Sequence, residues 1–244
     1  MNLFCIPYAG GSAKIIFNGW QQSLSSNIKV IPLELAGHGI RIDEPFHRNV
    51  EAAVADIVAT IRTSVITTPY AIYGHSMGSL IAYELTKALA SAGLPPPKAV
   101  FLSGRKPPHN CPKPRNIHRY NDTLLLEEMK KLGGTPKVFF EVKDLVKAFL
   151  PIFRNDYRIL ELYQFAEPIR PTSADIVFFH SDGDAVVEGP EVNEWEKYTT
   201  GTFMRKNFEG GHFFINEKRK EICEVISEVL EYEAEENLLQ CVGS

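Results

Sequence analysis

Short apolar runs alternate along this chain with segments whose apolar residues recur at helical spacing. Leu3 to Ile6 is apolar throughout and is stopped by Pro7 and the Gly10-Gly11 pair, while Ile28 to Leu35 repeats the pattern and ends at Gly37, His38 and Gly39. Both predict buried strands. From Asn49 to Val65, the residues Val50, Val54, Ile57, Val58, Ile61 and Val65 form one helical face, with Asn49 placed to cap the first turn. Tyr70 to Tyr73 predicts a third strand, which turns at Gly74 to Gly78 directly into a helix that Gly93 and three prolines stop. Ala99 to Ser103, Ile176 to His180 and Phe203 to Asn207 supply three more strands, and a helix follows from about Glu217 to Tyr232. Such alternation predicts an α/β fold, a mostly parallel sheet with helices on both faces and its strand-to-helix turns along one edge. Residues 233–244 are expected to fray.

The stretch from about Gly104 to Pro171 breaks this rhythm. It opens with a Pro-rich basic loop, continues through helical segments at Leu124 to Leu132 and Val142 to Leu150, and contains no strand pattern. A connection of that length is expected to be structured and functional, so it reads as an inserted helical lid. The 244 residues allow one large α/β domain or two small ones, and exclude a repeat array. A single domain over residues 1–244, with the lid at about 104–171, is the reading adopted.

Composition narrows the function. At 44% hydrophobic and 23% charged the chain matches a globular protein, and a net charge of −4 gives no overall positive field to hold a phosphate backbone. Nucleic acid is therefore not an expected partner. Cys5, Cys111, Cys223 and Cys241 lack paired spacing and read as reduced thiols, and the first apolar run is too short for a secretory signal or a bilayer span. The expected location is the cytoplasm, with no membrane partner.

Gly74-His75-Ser76-Met77-Gly78 has the GxSxG pattern, placed between a strand and a helix where a nucleophile elbow belongs. A serine hydroxyl needs an imidazole to take its proton, and the imidazole needs a carboxylate to fix its tautomer. In chain order Ser, Asp, His, the histidine should be His212, in Glu209-Gly210-Gly211-His212 past the last strand. His38 and His109 read as loop residues, His47 and His118 as solvated, His180 as a strand end, and His75 as pointing away from the serine. Ser181-Asp182-Gly183-Asp184 offers two carboxylates. Asp184 is preferred, because Gly183 lets the chain turn and Val186 and Val187 then re-enter the core; Asp182 is the alternative. The oxyanion donors should be the N–H of Met77, at the helix N-terminus, and that of Ala9 in the loop Pro7 to Gly11, with Tyr8 the alternative in a shifted register.

The lid opens with Arg105, Lys106, Lys113, Arg115 and Arg119 and no acidic residue between them. Arg105, Lys113 and Arg115, with Tyr8 at the neighbouring loop, are candidate partner- or substrate-binding residues, the basic ones by charge steering. Leu124, Leu125, Met129, Phe139, Phe140, Phe149 and Phe153 either cover an acyl chain or pack against one another. His109, Cys111 and His118 match no common metal-ligand spacing, so no metal is expected.

Taken together, PYAGGS at 7–12, LAGHG at 35–39, YGHSMGSLIAYEL at 73–85, LSGRKPPH at 102–109, LGGTP at 132–136, FLPIFRNDYRILELY at 149–163 and GGHFF at 210–214 resemble the type II thioesterases. These are stand-alone α/β-hydrolases that accompany nonribosomal peptide and polyketide synthases. The resemblance spans nearly the whole chain and includes the lid. It implies Ser76, Asp184 and His212 as catalytic residues and the amides of Ala9 and Met77 as the oxyanion hole. It departs at SDGD, where relatives more often carry adjacent acidic residues. The activity it implies is hydrolysis of acyl or aminoacyl thioesters from the phosphopantetheine arm of carrier proteins by a monomer without a cofactor of its own. A carboxylester hydrolase or acyltransferase with the same three residues, or a non-catalytic synthase accessory module, are the alternatives.

Overall fold

The computed structural model describes residues 1–110, 114–187 and 189–242. In chain order its elements are β1 (Asn2–Ile6), α1 (Ala13–Ile16), β2 (Lys29–Pro32), α2 (Val50–Thr67), β3 (Tyr70–His75), α3 (Met77–Ser91), β4 (Ala99–Ser103), α4 (Asp122–Leu132), α5 (Lys143–Leu162), β5 (Asp175–Ser181), β6 (Phe203–Phe208), α6 (Phe214–Glu217) and α7 (Arg219–Val242). The six strands form one sheet in the order β2-β1-β3-β4-β5-β6, every neighbouring pair parallel. Each predicted strand is present. β2 is shorter than its apolar run, and Glu34 beyond it turns its carboxylate onto the start of α1 instead of extending the ladder.

Both faces of the sheet are covered, so β3 and β4 are buried at every position and read as unbroken apolar runs. One face packs Phe4, Ile72 and Phe178 against α2 and α3. The other packs Leu3, Tyr73 and Phe179 against Phe17, Trp20 and the Ile222 and Ile226 side of α7. Each such large side chain removed from water contributes about 1.5–3 kcal/mol. The Asn49 side chain accepts the Ala52 N–H at 2.9 Å and caps α2 as expected.

The segment between β4 and β5 is helical: α4 and α5 with short 3-10 turns at Pro108–Asn110, Ile117–Arg119 and Lys137–Glu141. Its own small core comprises Ile117, Leu125, Met129, Leu150 and Phe153. α5 runs twelve residues past the predicted Leu150, through Pro151, because its buried stripe continues as Phe153, Asp156 and Ile159. Ile159 belongs to the core of the sheet, so α5 ties this segment to the main body. A 3-10 stretch at Pro190–Tyr198, not predicted, buries Trp195 and Tyr198 beside α3. α7 continues to Val242 where fraying was expected, since no Gly or Pro interrupts it before Gly243.

Candidate active site

Ser76 links β3 to α3 with φ +54° and ψ −110°, a conformation an L-residue adopts only when its surroundings impose it. The surroundings here are backbone. A Cβ on Gly74 would lie 2.2 Å from the Gly78 carbonyl oxygen, and one on Gly78 would lie 2.3 Å from that of Ile6. Strand, turn and helix are thus pressed together at two glycines, and the Ser76 N–H is held by the Ser103 carbonyl at 2.7 Å.

The structure brings Ser76, His212 and Asp184 together. His212 Nε2 is 3.1 Å from Ser76 Oγ, and its Nδ1 is 3.0 and 2.9 Å from the two Asp184 oxygens. Asp184 is 1% exposed, and its Oδ1 also accepts the Val186 N–H at 2.9 Å. An ionised carboxylate only accepts, so His212 donates from Nδ1 and its Nε2 lone pair faces the serine hydroxyl. Asp182 instead stands in solvent, 3.7 Å from His180. Gly183 lies in the expected turn, closed by the Asp184 N–H on the Ser181 carbonyl at 3.0 Å, after which Val187 re-enters the core but Val186 stays exposed; Gly183 also has a second role. A Cβ there would sit 2.5 Å from the Gly210 carbonyl, so its smallness lets the Asp184 and His212 loops touch, and Ser181 Oγ donates to that same carbonyl.

His75 lies in the core beneath the site, its Nδ1 2.8 Å from Ser103 Oγ and its ring centroid 5.2 Å from that of His212. Burial, reinforced by the neighbouring His212, pushes its pKa well below the usual imidazole value. The other histidines are engaged elsewhere: His38 with Asp156, His47 with Asp56, His109 with Tyr198 and Glu194, His118 with Glu161. The expectation that His47 and His118 are solvated does not hold, since both side chains are largely buried against carboxylates. Cys111 and Lys113 lie outside the described residues. Among the described residues no group of His, Cys, Asp and Glu side chains is arranged to hold a metal.

The loop after β1 closes as a turn in which the Gly11 N–H donates to the Tyr8 carbonyl at 2.9 Å and Gly10 takes φ +76°. Among the described residues, neither the Ala9 nor the Met77 N–H has an acceptor within the protein. A cavity of about 430 Å³ opens beside this loop, lined by Tyr8, Ala9, Ile16, Phe139, Phe149 and Phe213. A larger cleft of about 660 Å³ lies at the opposite edge, around Thr67 to Tyr70 and Pro95 to Lys98, away from Ser76. Of the basic residues that follow β4, Arg115 bonds Glu128 at 3.0 Å, Lys106 faces Glu191 at 3.6 Å, and the Arg105 carbonyl accepts Trp195 Nε1–H.

Two buried carboxylates near the site were missed. Glu34 and Asp156 both bond the loop that carries Ala9. The available signal was an acid within an apolar stripe: Glu34 between Leu33 and Leu35, and Asp156 in register with Phe149 and Phe153.

A family model described as Thioesterase domain matches residues 1–230. The chain is 30% identical over 94% of its length to Thioesterase PikA5 of Streptomyces venezuelae, covering 81% of that protein. Among solved structures, ClbQ from the colibactin NRPS/PKS pathway is 37% identical with a TM-score of 0.90, over 96% of this chain and 98% of that one. The type II thioesterase BorB from the borrelidin biosynthetic cluster is 31% identical with a TM-score of 0.84, over 94% and 92%. With sheet order, elbow and nearly full-length similarity in agreement, the chain belongs to the thioesterase-domain family and has the α/β-hydrolase fold.

Proposed function

We propose that this chain is a type II thioesterase that hydrolyses acyl or aminoacyl thioesters from the phosphopantetheine arms of carrier proteins, clearing misprimed or stalled groups in nonribosomal peptide or polyketide synthesis. The observation that carries the reading is the continuous hydrogen-bonded chain from Ser76 through His212 to Asp184, with an apolar cavity lined by Ala9 and by Phe213, the residue after His212. The names of the relatives support the substrate class.

Ser76 Oγ attacks the thioester carbonyl carbon as its proton passes to His212 Nε2, and the negative charge on the carbonyl oxygen is met by the Met77 and Ala9 N–H groups. Asp184 stabilises the imidazolium. The C–S bond then breaks, and His212 returns the proton to the departing sulfur, which with a thiol pKa of about 8.5 needs less acid assistance than an amine. Water, deprotonated by the same Nε2, attacks the acyl-serine and releases the acid, restoring Ser76.

The three side chains and both amides come from one chain, so a monomer suffices, and no cofactor enters any step. The carrier protein approaches over the lid's start, where Arg105, Lys113 and Arg115 steer its acidic surface. Tyr8 lines the acyl cavity. The cytoplasm is the compartment that suits the unpaired thiols of Cys5 and Cys223. Among the described residues no helix is long and apolar enough to cross a membrane.

The test is intact mass of several acyl- and aminoacyl-loaded carrier proteins before and after exposure to the enzyme. Loss of the acyl mass, abolished by Ser76→Ala, is the expected result. Hydrolysis of simple esters with every carrier left loaded would replace this reading by a carboxylester hydrolase. Absence of Ser76 labelling by a fluorophosphonate would replace it by a binding module.

A further inference from the structure

The loop that carries Ala9 is held by two carboxylates that the reaction does not use. At its far end, Glu34 accepts from Ser12 Oγ at 2.9 Å and from the Ala13 N–H at 2.8 Å, fixing the loop to the body of the protein. At its near end, Asp156 Oδ2 accepts the Gly10 N–H at 2.6 Å. Asp156 is 1% exposed and belongs to α5, in the lid, 146 residues away along the chain.

The same oxygen is 2.9 Å from His38 Nε2, while His38 Nδ1 is 3.1 Å from the Ala36 carbonyl. Both ring nitrogens face acceptors, an arrangement that only a doubly protonated imidazole satisfies in full. Burial opposes that charge, but the hydrogen bond and charge of Asp156 outweigh it and raise the His38 pKa. Phe149, Phe153 and Asp156 share one face of α5 at i, i+4 and i+7. A Cβ on Gly10 would lie 2.6 Å from the Phe149 ring and 3.2 Å from that of Phe153. Two rings and one carboxylate of the lid are therefore seated on the residue next to Ala9.

We infer that Asp156 is a positioning residue: through the Gly10 N–H it holds the adjacent Ala9 amide in place for the oxyanion, and so makes a working site conditional on α5 being seated. This rests on the reading that Ala9 and Met77 supply the oxyanion donors. Loss of one such donor typically lowers kcat by about 10²–10³. Asp156→Leu removes both bonds at nearly constant volume and should lower kcat about 10²-fold with KM changed less than about threefold. Asp156→Asn keeps one acceptor for the Gly10 N–H but loses the charge-assisted part of the bond, so its kcat should fall about three- to tenfold below wild type.

The measurements are kcat and KM on an acyl-pantetheine thioester, with hydrogen exchange at the Gly10 amide and circular dichroism to establish folding. Graded loss in kcat, with exchange faster in both variants, is the expected result. A folded Asp156→Leu with wild-type kcat, or a loss confined to KM, would overturn the inference. If Asp156→Leu does not fold, Asp156→Asn decides: an unchanged kcat overturns the inference, whereas a fall at constant KM with faster Gly10 exchange supports it. Wild-type enzyme inert on every thioester and unlabelled at Ser76 would instead overturn the hydrolase reading itself.

Discussion

Asp184→Asn is the sharpest probe of the site, because the structure dictates how the new amide must orient. In the wild type, Asp184 Oδ1 accepts the Val186 N–H at 2.9 Å while the other oxygen lies 2.9 Å from His212 Nδ1. Asparagine has one acceptor, and the Val186 N–H claims it, so the NH₂ group takes the place of Oδ2 and donates to Nδ1. The imidazole proton then moves to Nε2, 3.1 Å from Ser76 Oγ, where His212 can no longer act as a base. The expected loss is about 10⁴ in kcat, or about 5.4 kcal/mol of barrier, with the fold intact. Thiol release from an acyl-pantetheine near neutral pH measures it, and Asp182→Asn is the control. Asp182 is exposed and does not touch His212, so that variant should keep turnover within about twofold of wild type. Near-normal turnover by Asp184→Asn, or an equal collapse in Asp182→Asn, would refute the assignment.

Three further outcomes follow from the geometry. Gly74→Ala places a methyl 2.2 Å from a backbone oxygen that cannot yield, and should cost about 3 kcal/mol, lowering the melting temperature by about 6–12 °C in calorimetry. Burial depresses the His75 pKa in the folded state, so below about pH 6.5 the unfolded chain binds its proton first and stability falls with pH by up to about 1.4 kcal/mol per unit. His75→Asn lacks this term, and the stability gap between the two proteins in urea titrations should narrow as pH falls; a constant gap counts against a neutral buried imidazole. Reversing Lys113 and Arg115 to Glu should lower kcat/KM on carrier-bound substrate about tenfold at low salt while sparing free acyl-pantetheine. An equal effect on both substrates would point to lost lid packing, through the Arg115–Glu128 pair.

Six strands, their parallel pairing and the turn at Ser76 were legible, because burial on both sheet faces writes itself as short apolar runs between glycines and prolines; the order of the strands was not. His212 and Asp184 were legible from their positions past strand ends, since a parallel sheet brings those ends to one edge. What escaped was held by long-range contacts. Asp156 meets Gly10 across 146 residues, and no local pattern encodes that meeting. α5 passes through Pro151 because the buried stripe beyond it outweighs one missing hydrogen bond. His118 was misread because its partner, Glu161, is the penultimate residue of α5, 43 residues further along the chain.

A side chain at Gly74 or Gly78 would first meet main-chain atoms, of Gly78 and Ser79 in the one case and of Ile6 and Pro7 in the other. Selection for these two glycines is therefore architectural, and it would persist in any descendant that kept this sheet but abandoned hydrolysis. In such a lineage the flanking pair would stay while the residue between them drifted. Genome surveys that score the glycine frame alone would count those silent offspring as enzymes, and only the hydroxyl at position 76, together with its distant imidazole and acid, separates the working members from the retired ones.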